Sequence, residues 1–288
     1  MQKEHHGFLY GVAAALTSAA GALFIKLSTS ASVSTLVFAR FALGLPIMLW
    51  IIYHKKIDIS WKKIPKNLTR SLGSILSIYT YYYAVQKLLL VNAVTLSNTS
   101  PLFIPFLTLI WLKLLVSRKR FLATAIGFLG VLVLLRPTGE IFHWASVIGL
   151  SSGFFGAIAL ISVRQLSKTE STETILSYYF LIGTFVAFIP LPFSWKPIDQ
   201  PIQWLYIFLS GVCAFIYQFT ITKAYTHAPA TKVSTMNYLS VVFSGLVGWW
   251  VFAEVPDYWV LIGTLLIVCG ALVALFDQSP AKRIGKIS

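Results

Sequence analysis

Acidic residues are scarce: Asp and Glu number 9 in 288 residues, against 23 Lys and Arg. Each of them (Glu4, Asp58, Glu140, Glu170, Glu173, Asp199, Glu254, Asp257, Asp277) falls in a connecting stretch or near the end of an apolar run. The histidines His5, His6, His54, His143 and His227 also lie outside the runs or at their edges. A proton relay inside apolar surroundings needs a buried Asp, Glu or His, so tight proton coupling is not supported. No HExxH, no metal-ligand spacing and no nucleophile with a nearby base occur, so no metal site, cofactor or catalytic residue is expected. Cys213 and Cys269 stand inside apolar runs without a CxxC, which excludes a disulfide framework and reads as packing. Charged residues are only 11% of the chain, too few for an ordinary soluble domain.

What is abundant is apolar length. Hydrophobic residues make up 57% of the chain and mean hydropathy is +0.77. At about 20 residues per crossing, the runs predict ten transmembrane helices, near 8–27, 34–53, 68–86, 91–112, 121–136, 144–163, 174–193, 202–224, 231–252 and 257–276. Connections are short and leave no room for a soluble catalytic domain. The polar start MQKEHHG leads into the first run without a cleavage pattern, so that run is expected to be retained.

The net charge of +14 is a matter of placement. Lys3, Lys55, Lys56, Lys62, Lys63, Lys66, Arg70, Lys113, Arg118, Lys119, Arg120, Arg164, Lys168, Lys223, Lys232, Lys282, Arg283 and Lys286 fall on one side of the ten-helix reading. The other side holds Lys26, Lys87, Arg136 and Lys196. The positive-inside rule then puts both termini in the cytoplasm. The same charge implies contact with anionic membrane lipids rather than with nucleic acid.

One stretch departs from a plain apolar helix. In 91–112 the cluster Ser97-Asn98-Thr99-Ser100-Pro101 and then Pro105 interrupt the run. Pro101 has no N–H, so the carbonyl of Ser97 loses its helical partner, and irregular backbone at that depth requires surrounding protein or a water-filled cavity. Shifted by 140 residues, the third to fifth runs align with the eighth to tenth without a gap: Thr80 meets Thr220, Ser100 meets Ser240, Phe103 meets Phe243, Gly130 meets Gly270. A shift of 138 sets Gly11 on Gly149 and Lys26 on Arg164.

A five-helix copy enters the membrane with opposite orientation each time. The expected fold is therefore an all-α integral membrane protein of two inverted repeats, residues 1–140 and 141–277, with a cytoplasmic tail at 278–288. Gly7, Gly11, Gly149, Gly153, Gly245 and Gly248 favour close helix approach.

The ten runs in two halves, Phe38 to Phe41 in the second, Thr99-Ser100-Pro101-Leu102-Phe103 in the fourth and Ala253-Glu254 closing the ninth resemble the EamA-type carriers of the drug/metabolite transporter superfamily. Such carriers often close the fourth run with Gly-Glu as well. Here Lys113-Leu114 stands in that place, so only the second half can use the acidic residue. The resemblance implies export or uptake of amino acids and metabolites such as S-adenosylmethionine across a bacterial inner membrane.

Polar residues inside the runs are the candidates for binding a small molecule. Arg40 lies about seven residues into the second run, where an arginine costs roughly 2.5–3.5 kcal/mol to insert. It either snorkels or pairs with a helix carbonyl, or it meets an anionic part of a substrate. Ser97 and Asn98, with Asn237 and Tyr238 at equivalent positions of the second half, converge near the pseudo-axis, where they line a cavity or bond between helices. Tyr217 and Gln218 suit a planar or zwitterionic metabolite, with helix packing as the other reading. Tyr81, Tyr82 and Tyr83 read as an interfacial aromatic belt, Trp249 and Trp250 as lipid-facing, and Lys26 and Arg164 as snorkelling. Pro101, Pro105, Gly245 and Gly248 are the expected hinges.

The composite reading is a secondary transporter, a facilitator or exchanger, for a small polar metabolite with an anionic group. The alternatives are a non-transporting scaffold or lipid-handling protein, with a membrane enzyme the poorest fit. Oligomeric state does not follow from the chain.

Overall fold

The structure, a computed structural model, describes residues 2–57, 59–115, 117–135, 144–167, 169–227, 233, 236–276 and 282–283. Expectations for Asp58, Arg136, Glu140, Lys168, Lys232, Asp277 and the repeat boundary at 140 lie outside the described residues, as does most of the tail. The described chain is helical apart from one two-residue antiparallel bridge, Leu114–Leu115 with Lys282–Arg283.

Six stretches are long and apolar enough to cross a membrane. They are α1 (Gln2–Leu27), α2 (Val33–Lys55), α4 (Leu90–Ser97) with α5 (Ser100–Leu112), α7 (Trp144–Leu166), α10 (Pro201–His227) and α12 (Tyr258–Phe276). Two more apolar helices are shorter, α8 (Thr172–Phe188) and α11 (Leu239–Phe252). α3 (Ile64–Lys87) is long but carries a run of Ser, Thr and Tyr with Arg70, while α6 (Arg118–Leu135) opens on Arg118, Lys119 and Arg120. The stretch expected at 174–193 ends early, since α8 stops at Phe188 and a separate short α9 (Leu191–Ser194) follows.

The outside of the bundle is apolar, and the inside mixes an apolar core with small and hydroxylic residues. Tyr53, Ile110, Leu122, Phe185, Phe193, Trp250 and Leu265 are exposed, while Ser71, Thr99, Thr124, Ser152, Ser177 and Ser244 are fully buried. Lipid accepts the former without penalty, and small or hydroxylic residues let helices approach closely inside. Trp249 and Trp250 face outward as expected; Cys213 packs near Gly21, whereas Cys269 is exposed on the apolar surface.

The helices pair α1 with α10, α3 with α7, α6 with α12 and α2 with α8, and these contacts are reciprocal. A Cβ on Gly44 would strike the Phe180 ring, and one on Gly183 would strike the Phe41 ring; Gly183 lies 139 residues after Gly44, and Phe180 139 after Phe41, so the two contacts exchange roles. Across α6 and α12, Gly130 lies against Gly263 and Ile267, and Gly270 against Ala123 and Gly127, a correspondence at 140. Caps follow the same rule. Ser32 caps α2 by accepting from the Thr35 N–H at 3.2 Å, and Ser171 caps α8 by accepting from the Thr174 N–H at 3.2 Å. Lys113 and Ala253 both close their helices in the left-handed region, each at φ 52°.

Candidate functional site

The fourth apolar run breaks where its sequence requires. α4 ends at Ser97, Asn98 and Thr99 make the turn, and α5 restarts with Pro101 in its first turn, where a missing N–H does no harm. The Ser97 carbonyl, deprived of a backbone partner, accepts from the Ser100 hydroxyl at 3.3 Å, and Thr99 Oγ1 donates to the Leu96 carbonyl at 2.6 Å. Gly153 on α7 makes this possible: a Cβ there would lie 2.1 Å from Thr99 Oγ1 and 3.0 Å from the Leu96 carbonyl oxygen.

The second half meets this break directly. Asn98 Nδ2 donates to the Val94 carbonyl at 3.0 Å and to Ser240 Oγ at 3.2 Å; the Tyr238 hydroxyl donates to the Asn98 carbonyl at 3.1 Å. Asn237 is held from both sides, its carbonyl accepting from Ser240 Oγ at 2.5 Å and its side chain paired with the Tyr217 hydroxyl.

Beside these turns lies a cavity of about 160 Å³. Its wall carries Thr17, Ser18, Arg40, Ser77, Tyr81, Tyr82, Ser97, Asn98, Ser210, Tyr217, Asn237 and Ser240, with Gly21, Ala22, Ile25, Ile78, Val94 and Ala214 supplying the apolar part. No carboxylate is among these lining residues. The volume is below the roughly 300–1,000 Å³ of typical ligand clefts, so a solute of nucleoside size needs the helices to part.

The cavity thus brings together five of the residues singled out in the sequence, Arg40, Ser97, Asn98, Tyr217 and Asn237. Gln218, one residue further along α10, is not on this wall; its carbonyl accepts from Thr222 Oγ1 at 2.7 Å. Tyr238 is not on the wall either but braces Asn98 from behind. Pro105 stands inside α5, and α11 runs unbroken through Gly245 and Gly248. Gly248 packs against the Glu254 carboxylate, with an added Cβ 2.7 Å from Oε2.

Three expectations change. Tyr81 and Tyr82 are cavity residues and not a lipid-interface belt: Tyr82 is 1% exposed and its hydroxyl accepts from Arg40 Nη1 at 3.3 Å. A buried arginine draws a hydroxyl partner inward, which outweighs any interfacial preference. Lys26 does not snorkel. Its ammonium pairs with Glu254 Oε1 and donates to the Leu88 carbonyl at 2.6 Å, while Glu254 Oε2 accepts the Leu90 N–H at 2.8 Å. That cluster joins the end of α1, the start of α4 and the end of α11. Arg70, grouped with the loop cations by its place in sequence, is only 6% exposed and lies over the Tyr179 ring at 4.0 Å.

Two missed wall residues, Ser77 and Tyr81, had a signal. With Arg70 and Ser74 they recur at i, i+4, i+7 and i+11, one face of α3.

Comparison with known proteins agrees with this architecture. The chain is 28% identical to the pseudopaline exporter CntI of Pseudomonas aeruginosa over 92% of this chain and 94% of that protein. It is 32% identical to a riboflavin transporter of Vibrio cholerae over 67% of this chain and 64% of that one, and 23% identical to an S-adenosylmethionine uptake transporter of Rickettsia felis over 85% and 83%. A solved crystal structure superposes with a TM-score of 0.60 at 18% identity, over 93% of this chain and 96% of that one, a likeness of fold. The sequence profile of the EamA-like transporter family matches residues 5–136 and again 143–276. With both halves matched, this chain belongs to the EamA-like transporter family.

Proposed function

We propose that this transporter moves a small polar metabolite bearing an anionic group across a bacterial inner membrane by alternating access, as a facilitator or exchanger. The observation that carries the reading is Arg40 on the wall of a small cavity whose lining contains no carboxylate. A guanidinium in apolar surroundings costs roughly 2.5–3.5 kcal/mol on insertion scales, and neutral hydroxyls, those of Tyr82 and Tyr179, offset only part of it. Carboxylate or phosphate completes such a site through charge-assisted, often bidentate hydrogen bonds. Ser97, Asn98, Asn237 and Tyr217 supply the neutral donors and acceptors that orient the remainder, with Gln218 and Tyr238 supporting them.

Ten spans in two inverted five-helix repeats, 1–140 and 141–277, with cytoplasmic termini, make up the proposed frame. The twofold profile match and the reciprocal contacts at offsets of 139 and 140 support the repeat. The skewed lysines and arginines support the orientation. Rocking of one half against the other, with flexure at Pro101, Pro105, Gly245 and Gly248, then exposes the cavity to each side in turn. The relatives named for exporting pseudopaline, for riboflavin and for taking up S-adenosylmethionine leave the direction to experiment.

Counterflow in proteoliposomes tests this, with a mixed internal pool of amino acids, nucleosides, S-adenosylmethionine and sugar phosphates and no ion gradient. One anionic or zwitterionic class accumulates, and Arg40→Ala lowers its uptake at least tenfold more than that of a neutral analogue, as expected for a lost charge-assisted bond. Equal loss for both would make Arg40 a structural residue.

A further inference from the structure

Among the described residues, Arg40 is not alone as a guanidinium inside the bundle without a carboxylate partner. Arg70 sits six residues into α3, about 9 Å along the helix from Ile64, at the end of the bundle that carries Lys62 and Lys63. It is 94% buried, and its Nη1 reaches Ser74 Oγ at 3.2 Å. Its Nε has no hydrogen-bond partner among the described residues. Two neighbours share that condition. Asn67 and Ser71 are fully buried, and both Asn67 Oδ1 and Ser71 Oγ lack a partner.

Buried polar atoms are nearly always paired, because each orphan forfeits its hydration. Two unpaired donors on adjacent buried residues, Arg70 Nε and Ser71 Oγ, mark a place built for a visitor that accepts hydrogen bonds; Asn67 Oδ1, an acceptor, is no part of it. The described carboxylates at this end are engaged with lysines, Glu170 with Lys63 at 3.5 Å and Glu173 with Lys55 at 2.6 Å.

Position says what the visitor is doing there. Arg70 stacks on one side of Tyr179, and the Tyr179 hydroxyl interacts with Arg40, so the two guanidiniums flank a single tyrosine. Ser74 and Ser77 continue the α3 face from Arg70 to the cavity wall. We propose that Arg70 and Ser71 form a second anion site, a waiting station between the basic end of the bundle and the Arg40 cavity, with Tyr179 as the partition between the two. Its ligand is a carboxylate or phosphate group, held by the guanidinium fork and the Ser71 hydroxyl. The proposal rests on the Arg40 reading given above.

Thermal unfolding of the detergent-solubilised protein, titrated separately with inorganic phosphate and with succinate, tests it without knowledge of the substrate. A ligand that binds the folded state raises the unfolding temperature, the stabilisation growing with the logarithm of its concentration above Kd, and the effective anion identifies which acidic group the site takes. Arg70→Gln and Arg40→Gln should each weaken the apparent affinity at least tenfold. Ser71→Ala, which removes an unpaired buried hydroxyl, should weaken it severalfold without lowering the unfolding temperature of the ligand-free protein. Arg70→Lys, which keeps charge but loses the fork, should fall between Arg70→Gln and the parent, and serves if Arg70→Gln does not fold.

An unchanged anion response in Arg70→Gln or Arg70→Lys and in Ser71→Ala, with loss in Arg40→Gln, would overturn the second site and leave the cavity reading standing. Loss in the Arg70 and Ser71 variants with no change in Arg40→Gln would uphold an anion site at Arg70 and remove the cavity reading. No response of the parent protein to either anion overturns both.

Discussion

The two ends of the bundle close differently. At one end Lys26 and Glu254, with side chains only 16% and 11% exposed, form an ion pair extended by the Leu88 carbonyl and the Leu90 N–H, so that α1, α4 and α11 meet in one cluster. At the other, Lys55 and Glu173 approach to 2.6 Å with 58% and 39% of their side chains in the open. The buried pair has no counterpart in the other half of the sequence: 138 residues on from Lys26 stands Arg164, and 140 back from Glu254 stands Leu114. Backbone features do correspond. Lys113 and Ala253 share their left-handed caps, and Ser32 and Ser171 share their helix starts. The caps correspond between the two stretches, and the ion pairs that tie the ends do not.

The largest effect should come from breaking the tie. Glu254→Gln leaves the Lys26 ammonium among buried groups without its counter-ion, and loss of one partner of a buried pair costs about 3–5 kcal/mol. Thermal unfolding in detergent measures it. The double change Lys26→Met with Glu254→Leu should recover much of that loss, because no orphaned charge remains.

A middle-sized effect tests the correspondence itself. Gly130→Ala and Gly270→Ala each place a Cβ 2.6–2.7 Å from backbone atoms of the facing helix, overpacking worth about 1–3 kcal/mol. The two losses should match within about 0.5 kcal/mol, the usual scatter of independent sites. A large difference would mean that the α6–α12 crossing is not reciprocal in energy.

The smallest effect belongs to the open pair. Glu173→Gln should change stability by less than about 1 kcal/mol. The Lys55 ammonium holds the Glu173 carboxyl below its ordinary range. Its contribution is therefore complete above the ordinary carboxylate value and fades as pH falls through the lowered one. Unfolding followed from neutral to acidic pH, with and without the substitution, reads this directly.

Reading the chain by pattern located the break at Ser97-Asn98-Thr99-Ser100, because proline and a polar cluster leave a carbonyl with nowhere to go in lipid. It located Arg40, Asn98 and Asn237 through their rarity inside apolar runs. It misjudged Tyr82, since a tyrosine near the end of a run suits an aromatic belt by composition, and only the approach of Arg40 from α2 makes it an inner residue. It misjudged Lys26 and Arg70 for a related reason. Long cationic side chains near helix ends reach water by default, unless another helix covers them, and here α11 and α8 do.

Membrane residence, the run of helices and the resemblance between halves were set by the sequence alone, because bilayer thickness and backbone hydrogen bonding leave an apolar chain few options. Which polar residues face one another was decided only by the packed structure. Pairs such as Lys26 with Glu254, or Asn98 with Ser240, lie 228 and 142 residues apart. Nothing local in either segment encodes that meeting; it follows from glycines such as Gly153 and Gly130 that let particular helices come close.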